Sequence, residues 1–226
     1  MRMRRKKNLN QRIERASSVL VKEPQANKGC WRRTLPGCRE VFIELGCGRG
    51  KFTAETAQAM PDIALIAIER NKDALVMAME RALSAELRNL RFVCADVFFI
   101  EELFGPGEID RIYINFCDPW PGKRHEKRRL TAPAFLTRYR SVLRQNGEIH
   151  FKTDNRELFD YTVYTMKENG FLLNMVSENL HENEVNGIMT DYEEKFHREG
   201  KPIYMLTAQN GAGSGKVHTT IGEAAE

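Results

Sequence analysis

Short apolar runs alternating with helical patterns predict an α/β fold: a mainly parallel sheet with helices on both faces. Three observations carry this expectation. From residue 41 onward the strand-like runs are continuously apolar, as strands buried on both sides are. Stretches with helical spacing fill the gaps between them, the order that builds a parallel sheet. Acids stand at successive strand ends, at Glu44, Glu69, Asp96, Asp118 and Asp154, and ligands of such sheets bind outside the carboxyl ends of the strands.

The elements follow in order. "VFIEL" (41–45) is a buried strand ended by "GCGRG", and "KFTAETAQAM" (51–60) is a helix stopped by Pro61. "IALIAIE" (63–69) and "LRFVCAD" (90–96) are strands that flank an amphipathic helix over 72–87. "RIYINF" (111–116) is a fourth strand. A helix over 132–143 follows, with Pro133 in its first turn, where a missing N–H costs nothing. "GEIHFKTD" (147–154) is a fifth strand, and the helix over 156–169 ends at Gly170, a favourable stop. "FLLNMVSE" and "PIYMLTA" are late strands.

The chain of 226 residues, 42% hydrophobic and 29% charged, suits one domain with a full core. No apolar run approaches the roughly 20 residues that span a bilayer. The basic start "MRMRRKK" has no apolar core, so it is not a secretory signal. Five cysteines without a C-x-x-C pair indicate neither a zinc site nor a disulfide framework, and a reducing cytoplasm is the expected home. The net charge of +4 is uneven: residues 1–33 hold eleven Lys/Arg against two Glu, and residues 111–144 hold nine against Asp118 and Glu126. Two basic blocks on an otherwise acidic chain suggest a polyanion footprint. The expected division is a basic arm over 1–37 that orders on its partner, a catalytic domain over 38–208, and a disordered Gly/Ser-rich tail over 209–226.

"ELGCGRG" sets glycines at 46, 48 and 50, a G-x-G-x-G spacing rather than the G-x-G-x-x-G of dinucleotide loops. Gly46 and Gly48 let the backbone approach a ligand, while Glu44 repels pyrophosphate and suits a cation. S-adenosyl-L-methionine, with a sulfonium, an ammonium and no phosphate, fits this pattern. Glu69 is then placed for its ribose hydroxyls and Asp96 for its adenine edge. In "NFCDPWPGKRHEKRRL" a carboxylate, Asp118, is followed by a stiff Pro119-Trp120-Pro121 turn and a basic block. Trp120 suits base stacking. Lys123, Arg124, Lys127, Arg128 and Arg129 suit phosphates.

In this order along the chain, "ELGCGRG", "NFCDPWPGKRHEKRRL", "FKTDN" and "TDYEEKF" resemble the bacterial tRNA (guanine-N7)-methyltransferases, over about residues 38–207. The resemblance implies a Rossmann-like class I S-adenosylmethionine-dependent methyltransferase fold, with N7 of a guanine in the tRNA variable loop as the methyl acceptor. It places donor contacts on Glu44, Glu69, Asp96 and Asp118, with Asp118 also catalytic. It places substrate contacts on Asp154, Thr190, Asp191, Tyr192 and Glu193. The family commonly has lysine where this chain has Gly122, so Lys123 is expected to take over that contact, and Cys117 stands where proline is usual. No metal site is expected, and monomer and homodimer both remain open. Two other functions remain open at this stage. One is a methyltransferase acting on an exocyclic amine of RNA, for which D-P-W loosely resembles the N/D-P-P-Y/F turn. The other is a non-catalytic RNA-binding module with a relic cofactor pocket.

Overall fold

The computed structural model describes residues 7–35, 37–182 and 187–211. Seven strands form one sheet: β1 (Glu40–Leu45), β2 (Ile63–Ile68), β3 (Leu90–Val93), β4 (Ile109–Asn115), β5 (Leu143–Thr153), β6 (Phe171–Ser177) and β7 (Tyr204–Asn210). Their order is β3-β2-β1-β4-β5-β7-β6, and β7 runs antiparallel to both of its neighbours. The strand order reverses between β1 and β4, which pair in parallel, and this opens a crevice at their carboxyl ends. All six residues of β2 are buried, as expected for a central strand covered on both faces.

The helices are α1 (Leu9–Arg15), α2 (Trp31–Thr34), α3 (Lys51–Ala59), α4 (Lys72–Ser84), α5 (Ile100–Leu103), α6 (Pro133–Val142), α7 (Arg156–Glu168) and α8 (Asp191–Arg198). One core layer joins Phe52 and Ala57 of α3 and Leu75 and Met79 of α4 to Phe42, Leu65 and Phe92 of the sheet. The other packs Ile100, Leu136, Tyr139, Leu158 and Phe159 on Ile43, Ile66, Ile112 and Phe151. Local chemistry sets the helix starts. Asn71 caps α4 by accepting from the amides of Asp73 and Ala74, and Asn155 caps α7 by accepting from Leu158.

Two boundaries differ from the sequence expectation. Residues 7–35 of the N-terminal segment pack against the domain instead of standing off it as an arm. Trp31 is fully buried; its indole N–H donates to Leu103 O at 2.8 Å and its amide to Glu108 Oε1 at 2.7 Å. Ala16 and Val19 are buried too, and Arg12 Nε donates to Glu80 at 2.7 Å. The segment is strongly charged, but its few apolar side chains decide where it lies. At the other end the fold runs on to Asn210, which pairs with Phe171 and donates to Leu143 O and Arg144 O at 3.2 Å. Of the tail expected over 209–226, residues 212–226 lie outside the described residues.

Candidate active site

A cavity of about 530 Å³ opens at the carboxyl ends of β1, β2, β3 and β4, within the size range of small-molecule sites. Its donor-side wall carries Gly46, Glu69 and Asp96, and its opposite rim carries Asp118, Trp120, Lys127 and Arg128. The structure therefore brings two separated sequence motifs to one place.

The glycine turn leaves β1 with Gly46, Gly48 and Gly50 at positive φ. Gly50 has a second constraint: a Cβ there would lie 2.5 Å from the Ala78 Cβ of α4. Glu69 closes the turn, accepting from Gly48 N at 3.1 Å and from Asn71 N at 2.7 Å. A carboxylate thus takes a loop amide that a pyrophosphate would need, which argues against a dinucleotide. Each Glu69 oxygen keeps a lone pair for a ligand hydroxyl. Asp96 is exposed at the cavity and accepts from Phe98 N at 2.9 Å.

Glu44 does not line the cavity. It is 2% exposed and lies one layer behind, accepting from the Thr53 hydroxyl and, at 3.2 Å, from Asn115 Nδ2. Asn115 does line the cavity. Burial pushes the Glu44 carboxyl up to about 7, against the hydrogen bonds from Thr53 and Asn115 that pull it down. The carboxylate expected at a cation is here turned to Thr53 and Asn115.

The Asp118 turn is held in uncommon backbone. Phe116 and Trp120 both have positive φ, at 50° and 42°, a conformation that bulky residues adopt where surroundings over-determine it. Phe116 N donates to Lys152 O at 2.9 Å. Arg129 is 4% exposed and donates to Pro119 O at 3.0 Å, Trp120 O at 3.3 Å and Glu157 at 2.7 Å. Arg129 was expected on phosphates; its head is turned inward to brace the turn. Lys123, Arg124 and Lys127 are exposed, and Arg128 lies over the Trp120 ring. Cys117 lines the cavity, and burial with the nearby Asp118 pushes its thiol up to about 12, which keeps it protonated and unreactive. His150 is bonded to Glu148 at 2.9 Å, and burial pulls its imidazole down toward the neutral form.

The remaining expected substrate residues divide in two. Asp154 is exposed at the end of β5 and is not a helix cap, a task that falls to Asn155. Asp191 and Tyr192 are exposed on α8, and the Tyr192 ring stacks near Phe116 at 6.4 Å. Thr190 caps α8 in a capping box with Glu193. Glu193 is fully buried and accepts from Lys152 Nζ and His181 Nε2 at 2.8 Å each and from Thr190 N at 3.1 Å. Its expected contact with a base is blocked by burial and by these three donors. The T-x-x-E spacing, a capping box in sequence, was the signal for this role.

This sheet order and cavity define a Rossmann-like class I S-adenosylmethionine-dependent methyltransferase. The fold matches the crystal structure of the 16S rRNA methyltransferase KamB, with a TM-score of 0.62 and 17% identity over 80% of this chain and 92% of that one. It also matches a 16S rRNA (adenine(1408)-N(1))-methyltransferase solved with its cosubstrate, with a TM-score of 0.58 and 13% identity over 87% and 95% of the two chains. A family model described as "Putative methyltransferase" matches residues 38–206. A tRNA (guanine-N(7)-)-methyltransferase of Listeria monocytogenes serotype 4b (strain F2365) is 46% identical, covering 92% of this chain and 98% of that protein. One of Halalkalibacterium halodurans is 44% identical over 92% and 96%. The chain belongs to the tRNA (guanine-N(7)-)-methyltransferase family.

Proposed function

We propose that this protein transfers the methyl group of S-adenosyl-L-methionine to N7 of a guanine in the variable loop of tRNA. The observation that carries the reading is one cavity lined both by the acceptors Glu69 and Asp96, after β2 and β3, and by Asp118, Trp120, Lys127 and Arg128, after β4. The donor-side groups fit the cofactor: they are hydrogen-bond acceptors, and Glu69 occupies the loop amide that a phosphate would take. When bound, S-adenosyl-L-methionine supplies an electrophilic methyl on a sulfonium.

Guanine N7 is an unprotonated lone pair. A carbon–nitrogen bond forms as the carbon–sulfur bond breaks, leaving a cationic 7-methylguanine and a neutral thioether, with no proton to remove. The protein's task is therefore orientation at near-attack distance. Asp118, exposed at the rim, accepts a guanine N–H and faces the positive charge that grows on the ring. Asp154 is a second acceptor at the end of β5. Trp120 stacks on a base. Lys123, Arg124 and Lys127 hold phosphates beside it. Among the described residues no helix is long and apolar enough to cross a membrane; a cytoplasmic location is part of this proposal.

Methyl transfer from labelled S-adenosyl-L-methionine to an unmodified tRNA transcript tests the reading, with the nucleoside identified by mass spectrometry. The expected product is 7-methylguanosine, lost on Asp118→Ala. Methylation of another atom overturns the assignment.

A further inference from the structure

Lys152 stands where three parts of the site meet. Its ammonium is buried, with the side chain 7% exposed, and donates to Glu193 Oε1 at 2.8 Å and to Ile188 O at 3.1 Å. Its own carbonyl accepts from Phe116 N of the Asp118 turn. Its positive charge also reaches Glu44 behind the donor wall. Lys51 of α3 grips the same segment from the other side, bonding Met189 O at 3.1 Å and Glu194 at 2.8 Å. Residues 188–194 are thus pinned by two lysines, and the Tyr192 ring stacks at 6.4 Å on that of Phe116, a residue of the Asp118 turn that lines the cavity.

The Glu193 carboxylate has no surface to offer a base and is held by Lys152, His181 and the Thr190 amide. A buried carboxylate needs a partner cation, and a buried ammonium needs a partner anion. Each of this pair answers the other.

We infer that Lys152 is a positioning residue for tRNA: its buried ammonium seats the 188–192 segment beside the Asp118 turn, and Glu193 serves as its counter-ion rather than as a contact to guanine. This inference rests on the methyltransferase reading above.

The test compares Lys152→Met, Glu193→Gln and the double variant in steady-state kinetics with a tRNA transcript. Calorimetric binding of S-adenosylhomocysteine counts the folded donor sites. Each single variant removes one charge of the buried pair, leaving Glu193 to His181 and the Thr190 amide or Lys152 to the Ile188 carbonyl, so KM for tRNA is expected to rise by about tenfold, the scale of such coupled displacements, while kcat per folded site changes less. The double variant is neutral at the pair and is expected to recover much of the loss. A double variant no better than Glu193→Gln, with donor sites still counted at one per chain, overturns the inference, because the acid would then be needed for itself. Should Lys152→Met fail to fold, Glu193→Gln against the double variant still decides, and a double variant that also fails to fold counts against the inference. Lys152→Arg keeps the charge and is expected to keep a KM near that of the unaltered chain. If the unaltered chain makes no 7-methylguanosine, the functional reading itself fails, a result distinct from all of these.

Discussion

The Arg128 guanidinium carbon lies 3.6 Å from the centroid of the Trp120 ring, so a cation covers one face of the indole at the rim of the cavity. The contact orients both groups, a positive head and a wide apolar plate, at the rim where the proposed substrate base would stack. Base stacking on an aromatic contributes about 1–3 kcal/mol, or roughly five- to 150-fold. Trp120→Ala is expected to lower kcat/KM for tRNA within that range, and Trp120→Phe to retain most of it. Steady-state kinetics with a tRNA transcript reads both, and a Trp120→Ala variant with unchanged kcat/KM would remove the indole from substrate binding.

The neighbouring residue behaves differently. Arg129 is buried and bonded to the carbonyls of Pro119 and Trp120, whereas Lys123 and Arg124 are exposed. Its ion pair with Glu157 has a partner that is 65% exposed, so the pair itself adds little. The carbonyl bonds carry the weight, at about 1–3 kcal/mol for buried groups left unpaired. Arg129→Ala is expected to lower Tm and activity together. Lys123→Ala and Arg124→Ala should leave Tm unchanged, weaken tRNA binding, and each reduce the slope of log affinity against log salt by about 1. A Tm that is insensitive to Arg129→Ala would return that side chain to the phosphate-binding set.

Glu44 gives the site a pH dependence. Burial raises its carboxyl from the ordinary carboxylate range to about 7. The folded chain then binds more protons than the unfolded chain between these values, so the contribution of Glu44 to stability is fully present below about pH 4.5 and is lost as pH rises toward 7. The full shift corresponds to an order of about 3 kcal/mol. A cationic ligand nearby favours the ionised form, so donor binding runs the other way and strengthens with rising pH. Calorimetry from pH 6 to 8 is expected to show S-adenosyl-L-methionine affinity increasing, with proton release visible in buffers of different ionisation enthalpy. Glu44→Gln should flatten the trend. An affinity independent of pH in the unaltered chain would show that Glu44 stays ionised throughout.

Much of this arrangement was legible in the sequence because it rests on continuous apolar runs. "IALIAI" admits no reading but a doubly covered strand, and the acids at the ends of β2 and β3, Glu69 and Asp96, fall on the cavity wall as their positions implied. Direction within a charged run was not legible. Arg128 and Arg129 are adjacent and chemically alike, yet one lies on Trp120 at the rim and the other turns inward. That choice is made by carbonyls that only the folded turn presents. Trp31 was hidden among basic residues for a related reason: its burial depends on Leu103 and Glu108, more than seventy positions away.

Gly122 occupies the position where the resembling family carries lysine, and its backbone shows why that lysine is not simply restored. Its φ is 80° and its ψ 147°, a region essentially reserved for glycine, in which other residues cost on the order of 1–3 kcal/mol. Space is not the obstacle, since nothing lies within 4 Å of a Cβ built there. Lys123, next in the chain, opens an exposed turn over Lys123–Arg128 and can present its ammonium from ordinary backbone. Gly122→Lys is therefore expected to lower Tm without raising kcat/KM, whereas Lys123→Ala should lower kcat/KM for tRNA. The double variant, with lysine at 122 and alanine at 123, is the sharper measurement. If it is as poor as Lys123→Ala, position 123 holds the contact. If it matches or exceeds the unaltered chain, the backbone relaxes and position 122 is the better site for that charge.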